Sequence, residues 1–114
     1  MNKTHKVSID GSLIIDSDSF HAVFKDALGF FDGYGHNMNA WIDCMGDIHV
    51  DTGMSKVLLP SDTSLTLEIS NVSNMKETCP GMLAALFACT AFVNTERITR
   101  VDKRAEPIYI LAWN

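Results

Sequence analysis

The stretch YGHNMNAWIDCM, residues 34–45, combines a turn, a helix cap and two helix faces of different composition. Asn37 follows the turn and is a favoured N-cap residue, because its side chain can accept from a free backbone N–H of the first turn. We therefore predict a helix over 37–47. Its large apolar side chains recur at helical spacing, namely Met38, Trp41, Ile42 and Met45. This stripe predicts the face that packs into the core.

The opposite side of this helix carries short polar side chains. Asn39, Asp43 and Asp47 follow one another at intervals of four residues, with small residues beside them. Short carboxylates on a rigid helix lose little rotamer entropy and can be held bidentately by arginine, which suits recognition of a cationic partner. The same row is typical of a solvated outer face, and the spacing alone favours that simpler interpretation.

Two elements are predicted before this stretch. Residues 5–9 alternate apolar and polar side chains and end at an Asp-Gly turn pair, so they predict a strand. The apolar run at 13–15 either pairs briefly with that strand or leads into a helix. Several candidate N-caps, apolar residues at helical spacing and then Gly29 predict that helix over about 17–28.

The second half of the chain begins with a long connection at 49–62 that shows no clear period. The segment SLTLEI, residues 64–69, alternates strictly and predicts a strand. Residues 71–78 are turn-prone, with room for a short helical turn. Pro80 suits a first helical position, and residues 80–94 are apolar nearly all round, so they predict a largely buried helix.

The chain closes with a charged loop at 97–106 and the segment PIYILAW at 107–113. The continuous apolar content of 107–113 predicts a strand that is central or covered on both faces. The resulting order is strand, helix, helix, strand, helix, strand. Helices that separate strands favour a small parallel sheet with helices packed on it, an α/β fold.

Length and charge limit the class of protein. The chain has 114 residues, which fits a single domain over 1–114, and 46% of them are apolar. Its formal net charge is −5, and residues 10–51 hold eight aspartates against Lys25 alone, a local charge of −7. Such a surface repels phosphates, so we expect no direct nucleic-acid ligand. It permits a basic protein partner, although an acidic surface that maintains solubility is the simpler explanation.

Cysteine usage and hydropathy indicate a reducing compartment. The three cysteines, Cys44, Cys79 and Cys89, lie in helix-like or apolar contexts, which suits reduced thiols rather than a disulfide framework. The first residues hold no apolar run that could serve as a signal-peptide core. The longest apolar stretch, 81–93, is too short to span a bilayer. We therefore expect a cytoplasmic protein without membrane contact.

Catalytic motifs are sparse. Cys79 precedes Pro80, so as the N-cap of a helix its thiolate would be favoured by the helix dipole. A small thiol enzyme, with a histidine from elsewhere as base, is therefore one hypothesis, and a structural cysteine is the simpler one. The acids and histidines of 36–49 lack dependable ligand spacing, so we expect no metal and no cofactor.

Three segments taken together resemble the barstar family of intracellular ribonuclease inhibitors. They are VSIDGSLI (7–14), FHAVFKDALG (20–29) and YGHNMNAWIDCM (34–45). The shared pattern is a strand, an Asn/Asp-Gly turn, a helix containing Phe/Leu-His, and then Tyr-Gly-x-Asn-x-Asn/Asp-Ala-x-x-Asp-Cys. The closing IYILAW also resembles the last strand of the family. The resemblance implies a barstar-like α/β fold, a small three-stranded parallel sheet flanked by helices.

The resemblance also implies a function. In the family, the second helix and the loop before it block the active site of a ribonuclease, and acidic residues replace the RNA phosphates. The partner-binding residues carried over by motif position, within the loop and helix at 33–47, are Tyr34, Gly35, Asn37, Asn39, Ile42, Asp43 and Asp47. Asp43 matches the central acidic residue of the family, and Asn37 matches its helix cap.

Three positions depart from the family pattern, and the first is Gly33, which stands where the family has a tyrosine. Asn39 replaces an acid, which removes one charge from the expected interface, and Ile42 replaces a tryptophan. A further acidic contact from beyond the second helix matches either Asn94 or Glu96. The resemblance therefore implies a non-catalytic inhibitor of a basic ribonuclease or nuclease toxin domain. The alternatives are an interaction module of the same fold with a non-nuclease partner, which the departures at Asn39 and Ile42 favour, and the thiol enzyme.

Overall fold

The computed structural model describes residues 3–99 and 106–114. In chain order its elements are strand β1 (Lys3–Asp10), a 3-10 turn (Gly11–Leu13), helices α1 (Ser17–Leu28) and α2 (Met38–Gly46), strand β2 (Thr63–Ser70), helices α3 (Val72–Thr78) and α4 (Pro80–Thr99), and strand β3 (Ile108–Ala112). The predicted helices at 17–28 and 37–47 and the predicted strands at 5–9 and 64–69 are confirmed within one or two residues at each end.

The three strands form one parallel sheet in the order β1-β2-β3. Leu67 on the central strand lies beside Val7 on β1 and beside Ile110 on β3. Parallel neighbours need long crossover connections, which here contain the helices. The α/β class and the three-stranded parallel sheet flanked by helices are therefore confirmed.

The core lies between one face of the sheet and the helices. Trp41 is fully buried, and its ring packs against Phe20 and Phe24 of α1, with ring centroids 6.5 Å and 5.8 Å away. The sheet face beneath contributes Val7, Ile9, Leu65, Leu67, Ile69 and Ile108, all buried. The apolar stripe predicted for α2 is confirmed, because Trp41 and Met45 are fully buried while Met38 and Ile42 pack at its margin.

The boundaries of α1 follow from local capping. The side chain of Asp16 accepts from the backbone N–H of Ser19, whose hydroxyl bonds back to the Asp16 backbone N–H, a capping box. Gly29 ends the helix with a φ of 65°, in the left-handed region that favours glycine. A Cβ at this position would also lie 2.7 Å from Cβ of Lys56. Glycine therefore serves both the turn and the approach of the 49–62 connection.

The chain region 71–99 is more helical than the sequence indicates. The turn-prone residues 71–78 contain the complete helix α3 (Val72–Thr78), and α4 continues to Thr99 rather than ending near 94. Arg97 therefore lies in a helix and not in the predicted charged loop. The remainder of that loop, 100–105, lies outside the described residues.

The prediction that the helix at 80–94 is largely buried is wrong. Among its described side chains, α4 buries Leu86, Thr90, Val93 and Arg97, a stripe with spacing i, i+4, i+7 and i+11. Phe87 and Phe92 are 46% and 50% exposed. Phe87 and Phe92 lie outside the buried stripe, so this side of α4 faces solvent although these residues are apolar.

The prediction for the last strand is also wrong. β3 is an edge strand of the sheet and not a central one, because within residues 3–99 and 106–114 it pairs with β2 alone. Its alternate residues Tyr109 and Leu111 are 54% and 55% exposed, and Trp113 just beyond is 45% exposed. The sheet face away from the helices is uncovered at these residues. The sequence hides this, because β3 carries apolar side chains on both faces.

No single helix in the described ranges has the length and apolar content that crossing a bilayer requires. Together α3 and α4 reach that length only as a pair bent by 117° at the break between them.

The predicted long connection at 49–62 is confirmed, since it contains no regular strand or helix and touches Phe30 through an isolated bridge at Ser55.

Candidate functional site

The loop before α2 is fixed to α1 by aromatic and histidine contacts. The Tyr34 side chain is buried, and its hydroxyl is hydrogen-bonded to Nδ1 of His21. Burial raises the pKa of Tyr34 and lowers the pKa of His21, so both side chains are held neutral. His36 has a φ of 48°, and its Nδ1 atom lies 2.9 Å from Oδ1 of Asp18. The loop therefore has a defined shape.

The N-cap of α2 depends on a glycine. Asn37 Oδ1 accepts from the backbone N–H of Ala40 at 2.8 Å, and Asn37 Nδ2 donates to the carbonyl oxygen of Gly35 at 3.0 Å. A Cβ at Gly35 would lie 2.9 Å from that Nδ2 atom, so glycine makes room for the cap. Both polar atoms of the Asn37 amide are thus hydrogen-bonded, and the prediction of Asn37 as the N-cap is confirmed.

The polar row of α2 faces solvent. Asn39 and Asp43 are exposed, and Asp47 is half-buried as the C-cap residue. Ile42 is half-buried and packs against the core with one side only. Asp43 and Asp47 belong to a short helix segment that the buried side chains of Trp41 and Met45 anchor in the core. The backbone that carries the two carboxylates is therefore held in place.

A cleft of about 470 Å³ opens between α2 and α4. Its acidic lining residues are Asp43 and Asp47 from α2 and Glu96 from α4. Its apolar lining includes Ile42 and Phe92, with Met54 from the long connection. The cleft therefore joins three carboxylates to an apolar wall, which suits an interaction with a cationic group that carries an apolar neighbour.

The contacts of Asn94 and Glu96 indicate which of these two residues is free to act as the additional contact with a partner. Asn94 Nδ2 donates to the Ile108 carbonyl oxygen, and Asn94 Oδ1 accepts from the Ile108 N–H, both at 2.8 Å. The amide of Asn94 is therefore engaged in the fold. Glu96 is exposed and lines the same cleft as Asp43. Glu96 is thus the residue of the two that lies beside the acidic row.

Arg97 holds the far end of α2 and is missed by the sequence analysis. Its side chain is buried, Nη2 donates to the Met45 carbonyl oxygen at 2.8 Å, and Nη1 donates to the Glu106 carbonyl oxygen at 2.6 Å. A cation at a helix C-terminus is favourable, because the last carbonyl groups carry partial negative charge. One signal in the sequence could have predicted its burial. Arg97 continues the stripe of Leu86, Thr90 and Val93 at helical intervals.

His49 extends this network. Its Nε2 must donate to the Thr63 carbonyl oxygen, 2.6 Å away, because that oxygen can only accept. Nδ1 of His49 then accepts from Nη1 of Arg97 at 2.9 Å. The arrangement requires a neutral imidazole, and burial accordingly lowers the pKa of His49. His49 is thereby part of the fold and not part of a metal site.

The cysteines show no catalytic arrangement among the hydrogen bonds of the described residues. The thiol of Cys79 donates to the Ile14 carbonyl oxygen at 3.4 Å, and no described bond joins it to a histidine. Cys44 is buried, and burial raises the pKa of its thiol to about 11. All three cysteines are free. Within residues 3–99 and 106–114, no three histidine, cysteine or acidic side chains are grouped as metal ligands would be.

Comparison with known proteins places this chain in a family. The family model described as Barstar (barnase inhibitor) matches residues 4–111, nearly the whole chain. The match includes the loop, α2, the long connection and both helices that follow β2. No curated protein matches the chain.

Proposed function

This chain belongs to the barstar family, and on that premise we propose that it is a non-catalytic inhibitor of a basic ribonuclease or nuclease toxin domain. The loop and helix at 33–47 would bind the active site of that nuclease and block it. The observation that carries the proposal is the cleft whose lining combines Asp43, Asp47 and Glu96 with an apolar wall. This places acidic groups from two helices at one surface that a basic pocket can enclose.

The mechanism follows from charge. A ribonuclease holds RNA phosphates with lysine, arginine and histidine side chains, so its active site is a basic depression. Asp43 is exposed on α2, and its carboxylate can be gripped bidentately by an arginine there. A carboxylate offers no bond that the nuclease can cleave. The complex is therefore an inhibited state and not a turnover intermediate.

The surrounding residues would support this contact in different ways. Asp47 and Glu96 add charge at the margin of the cleft, and the exposed face of Ile42 supplies an apolar contact beside them. Asn39 adds a neutral polar contact one turn earlier. The aspartates of 10–51 would attract a basic partner over distance and speed encounter.

The three remaining residues of the interface would act through the shape of the loop. Gly35 is exposed and can present its backbone to the partner. The Tyr34 side chain is 5% exposed, so we assign it to positioning the loop through His21. Asn37 acts as the cap that starts α2 directly beneath the contact surface.

A second candidate uses the same surface. An interaction module with a basic partner that is not a nuclease is favoured by Asn39 and Ile42, where the family pattern has an acid and a tryptophan. The two candidates differ in one measurable property. A nuclease inhibitor abolishes RNA cleavage by its partner, whereas the module binds without affecting RNA cleavage.

The test is inhibition of RNA cleavage by a panel of basic bacterial ribonucleases that includes barnase. We expect stoichiometric inhibition of at least one enzyme, and loss of that inhibition in Asp43→Ala. Removing one partner of a desolvated charge pair costs about 2–5 kcal/mol of binding energy. The matched control is Glu77→Ala, which removes an exposed acid on α3 outside residues 10–51 and should inhibit as the parent does. Full activity of every enzyme, or equal inhibition by Asp43→Ala, would overturn the proposal.

A further inference from the structure

The outer edge of β3 presents free backbone groups. The Trp113 N–H points toward β2 and donates to the Ile69 carbonyl oxygen at 3.0 Å, whereas both polar groups of Ile108 point outward to Asn94. Backbone direction alternates along a strand, so the N–H and C=O groups of Ile110 and Ala112 also point outward. Within residues 3–99 and 106–114, no strand pairs with this edge. Among these residues, the outward groups of Ile110 and Ala112 are therefore unpaired by any strand.

Beyond Asn94, which covers the outward groups of Ile108, this edge carries little of the usual protection. Natural edge strands carry charges, prolines or bulges that discourage pairing with another chain. The opposite edge strand β1 follows that rule, since Lys3 and Lys6 are both exposed on it. The segment 108–113, IYILAW, holds no charge and no proline. The β1 edge is thus protected by charge, whereas the β3 edge is uncharged and is covered by Asn94 at Ile108.

Apolar side chains flank the open edge on the sheet face that the helices leave bare. Tyr109, Leu111 and Trp113 alternate along β3 and are 54%, 55% and 45% exposed. Exposed apolar side chains that form a contiguous row are typical of interaction sites.

Apolar side chains flank the same edge on the helix side. Phe87, Ala91 and Asn94 lie at i, i+4 and i+7 on α4 and therefore share one stripe. Asn94 contacts Ile108, so this stripe runs beside β3. Phe87 and Ala91 are exposed. Apolar surface thus lies on both sides of one unpaired strand edge, as a continuation of the fold would require.

We propose that this surface binds a second copy of the chain, with the two β3 strands antiparallel about a two-fold axis. The sheet then becomes continuous over six strands. Ile110 of each copy exchanges hydrogen bonds with Ala112 of the other, and the two Leu111 side chains meet at the axis. Tyr109 then lies opposite Trp113 of the second copy. An isologous interface needs such self-complementarity, and aromatic and aliphatic cross-strand pairs stabilise it.

Asn94 selects this register. It occupies both outward groups of Ile108, so the intermolecular ladder is limited to Ile110 and Ala112. The charge distribution limits where a second copy can bind, since the acidic surfaces of two copies repel each other. Two chains of net charge −5 repel, and residues 107–113 carry no charge, so the copies can approach there.

The proposed interface leaves the nuclease-binding surface free. Phe92 and Glu96 line the cleft toward α2, whereas Phe87, Ala91 and Asn94 lie on the side of α4 that contacts β3. The dimer would therefore present two independent acidic sites. Loss of the dimer and loss of nuclease binding are separable outcomes for this reason.

The test is the oligomeric state of the full chain by sedimentation equilibrium over about a hundred-fold range of concentration. We expect a monomer–dimer equilibrium for the parent and a monomer for Leu111→Lys, which places two like charges at the axis. The matched control is Leu58→Lys, because Leu58 is 51% exposed and lies in the long connection. It should dimerise as the parent does. Circular dichroism of each variant verifies that the fold is retained.

A second variant reports the register directly. Leu111 and its copy form a non-hydrogen-bonded antiparallel pair, with Cα atoms about 4.5 Å apart, a separation that a disulfide can bridge. Leu111→Cys should therefore give a covalent dimer on oxidation, whereas Leu58→Cys and the parent should not. A parent that stays monomeric at every concentration, or a dimer that survives Leu111→Lys, would overturn the proposal.

Discussion

Nη2 of Arg97 donates a hydrogen bond to the carbonyl oxygen of Met45 at 2.8 Å, which joins α4 to the last turn of α2. The two helices that line the acidic cleft are thus connected at their buried ends. The distance between Glu96 and the aspartates of α2 depends on this connection, because Arg97 directly follows Glu96. A buried side chain of the fold therefore sets the geometry of an exposed recognition surface.

Arg97→Met should destabilise the protein, because it leaves the carbonyl oxygens of Met45 and Glu106 without their donor. Each buried acceptor left unsatisfied costs about 1–3 kcal/mol, so we expect a loss of at least about 2 kcal/mol. Urea unfolding measures it. Lys76→Met removes one exposed positive charge on α3 and serves as the control. If both variants unfold at the same urea concentration, Arg97 does not hold α2.

Trp41→Ala should destabilise by roughly 3–5 kcal/mol, since the indole is fully buried against Phe20 and Phe24. Trp41→Phe should cost less. It retains an aromatic ring and removes a buried Nε1 atom that has no hydrogen-bond partner among the described residues. Thermal unfolding of both variants measures the difference. Equal stability of Trp41→Ala and the parent would show that the stripe is not packed as described.

Asn39→Asp should strengthen binding to a basic partner, because it restores a charge one turn before Asp43. One exposed ion pair contributes up to about 1 kcal/mol, so we expect roughly a five-fold gain in affinity that shrinks with added salt. Titration calorimetry at two salt concentrations measures it. Asn74→Asp adds the same charge on α3, away from the cleft, and should leave affinity nearly unchanged. A similar gain in both variants would indicate a non-specific charge effect.

The stability of the protein should fall on mild acidification. Burial lowers the pKa of His49 and of His21 below the unfolded value of about 6.5. The unfolded chain therefore binds more protons, and stability is lost as pH falls from about 6.5 toward the folded pKa values. Urea unfolding between about pH 7 and pH 5 measures this slope.

His49→Gln should reduce that slope by removing one of the two contributing groups. Ser61→Gln is the control, because Ser61 is exposed and carries no titratable group. The slope should be unchanged in that variant. A parent whose unfolding free energy is constant over the same pH range would contradict the neutral state assigned to both histidines.

The elements predicted correctly are those with local signals. The Asn37 cap, the capping box at Asp16 and the left-handed Gly29 each act through bonds within a few residues, so the chain itself specifies α1 and α2. Strict alternation in 64–69 likewise specifies β2, whose apolar face must turn toward the helices. The acidic row of α2 also followed from spacing alone.

The tertiary structure decided what covers each apolar surface and which polar groups meet. Apolar content indicates that a segment gains free energy by burial. The tertiary arrangement decides whether another element is present to bury it, and for this reason apolar side chains of β3 and α4 remain exposed. Asn94 and Glu96 could not be separated along the sequence, because their roles depend on Ile108 and on α2. Arg97 likewise acquires its function from the carbonyl oxygen of Met45, which is distant in the chain and adjacent only after folding.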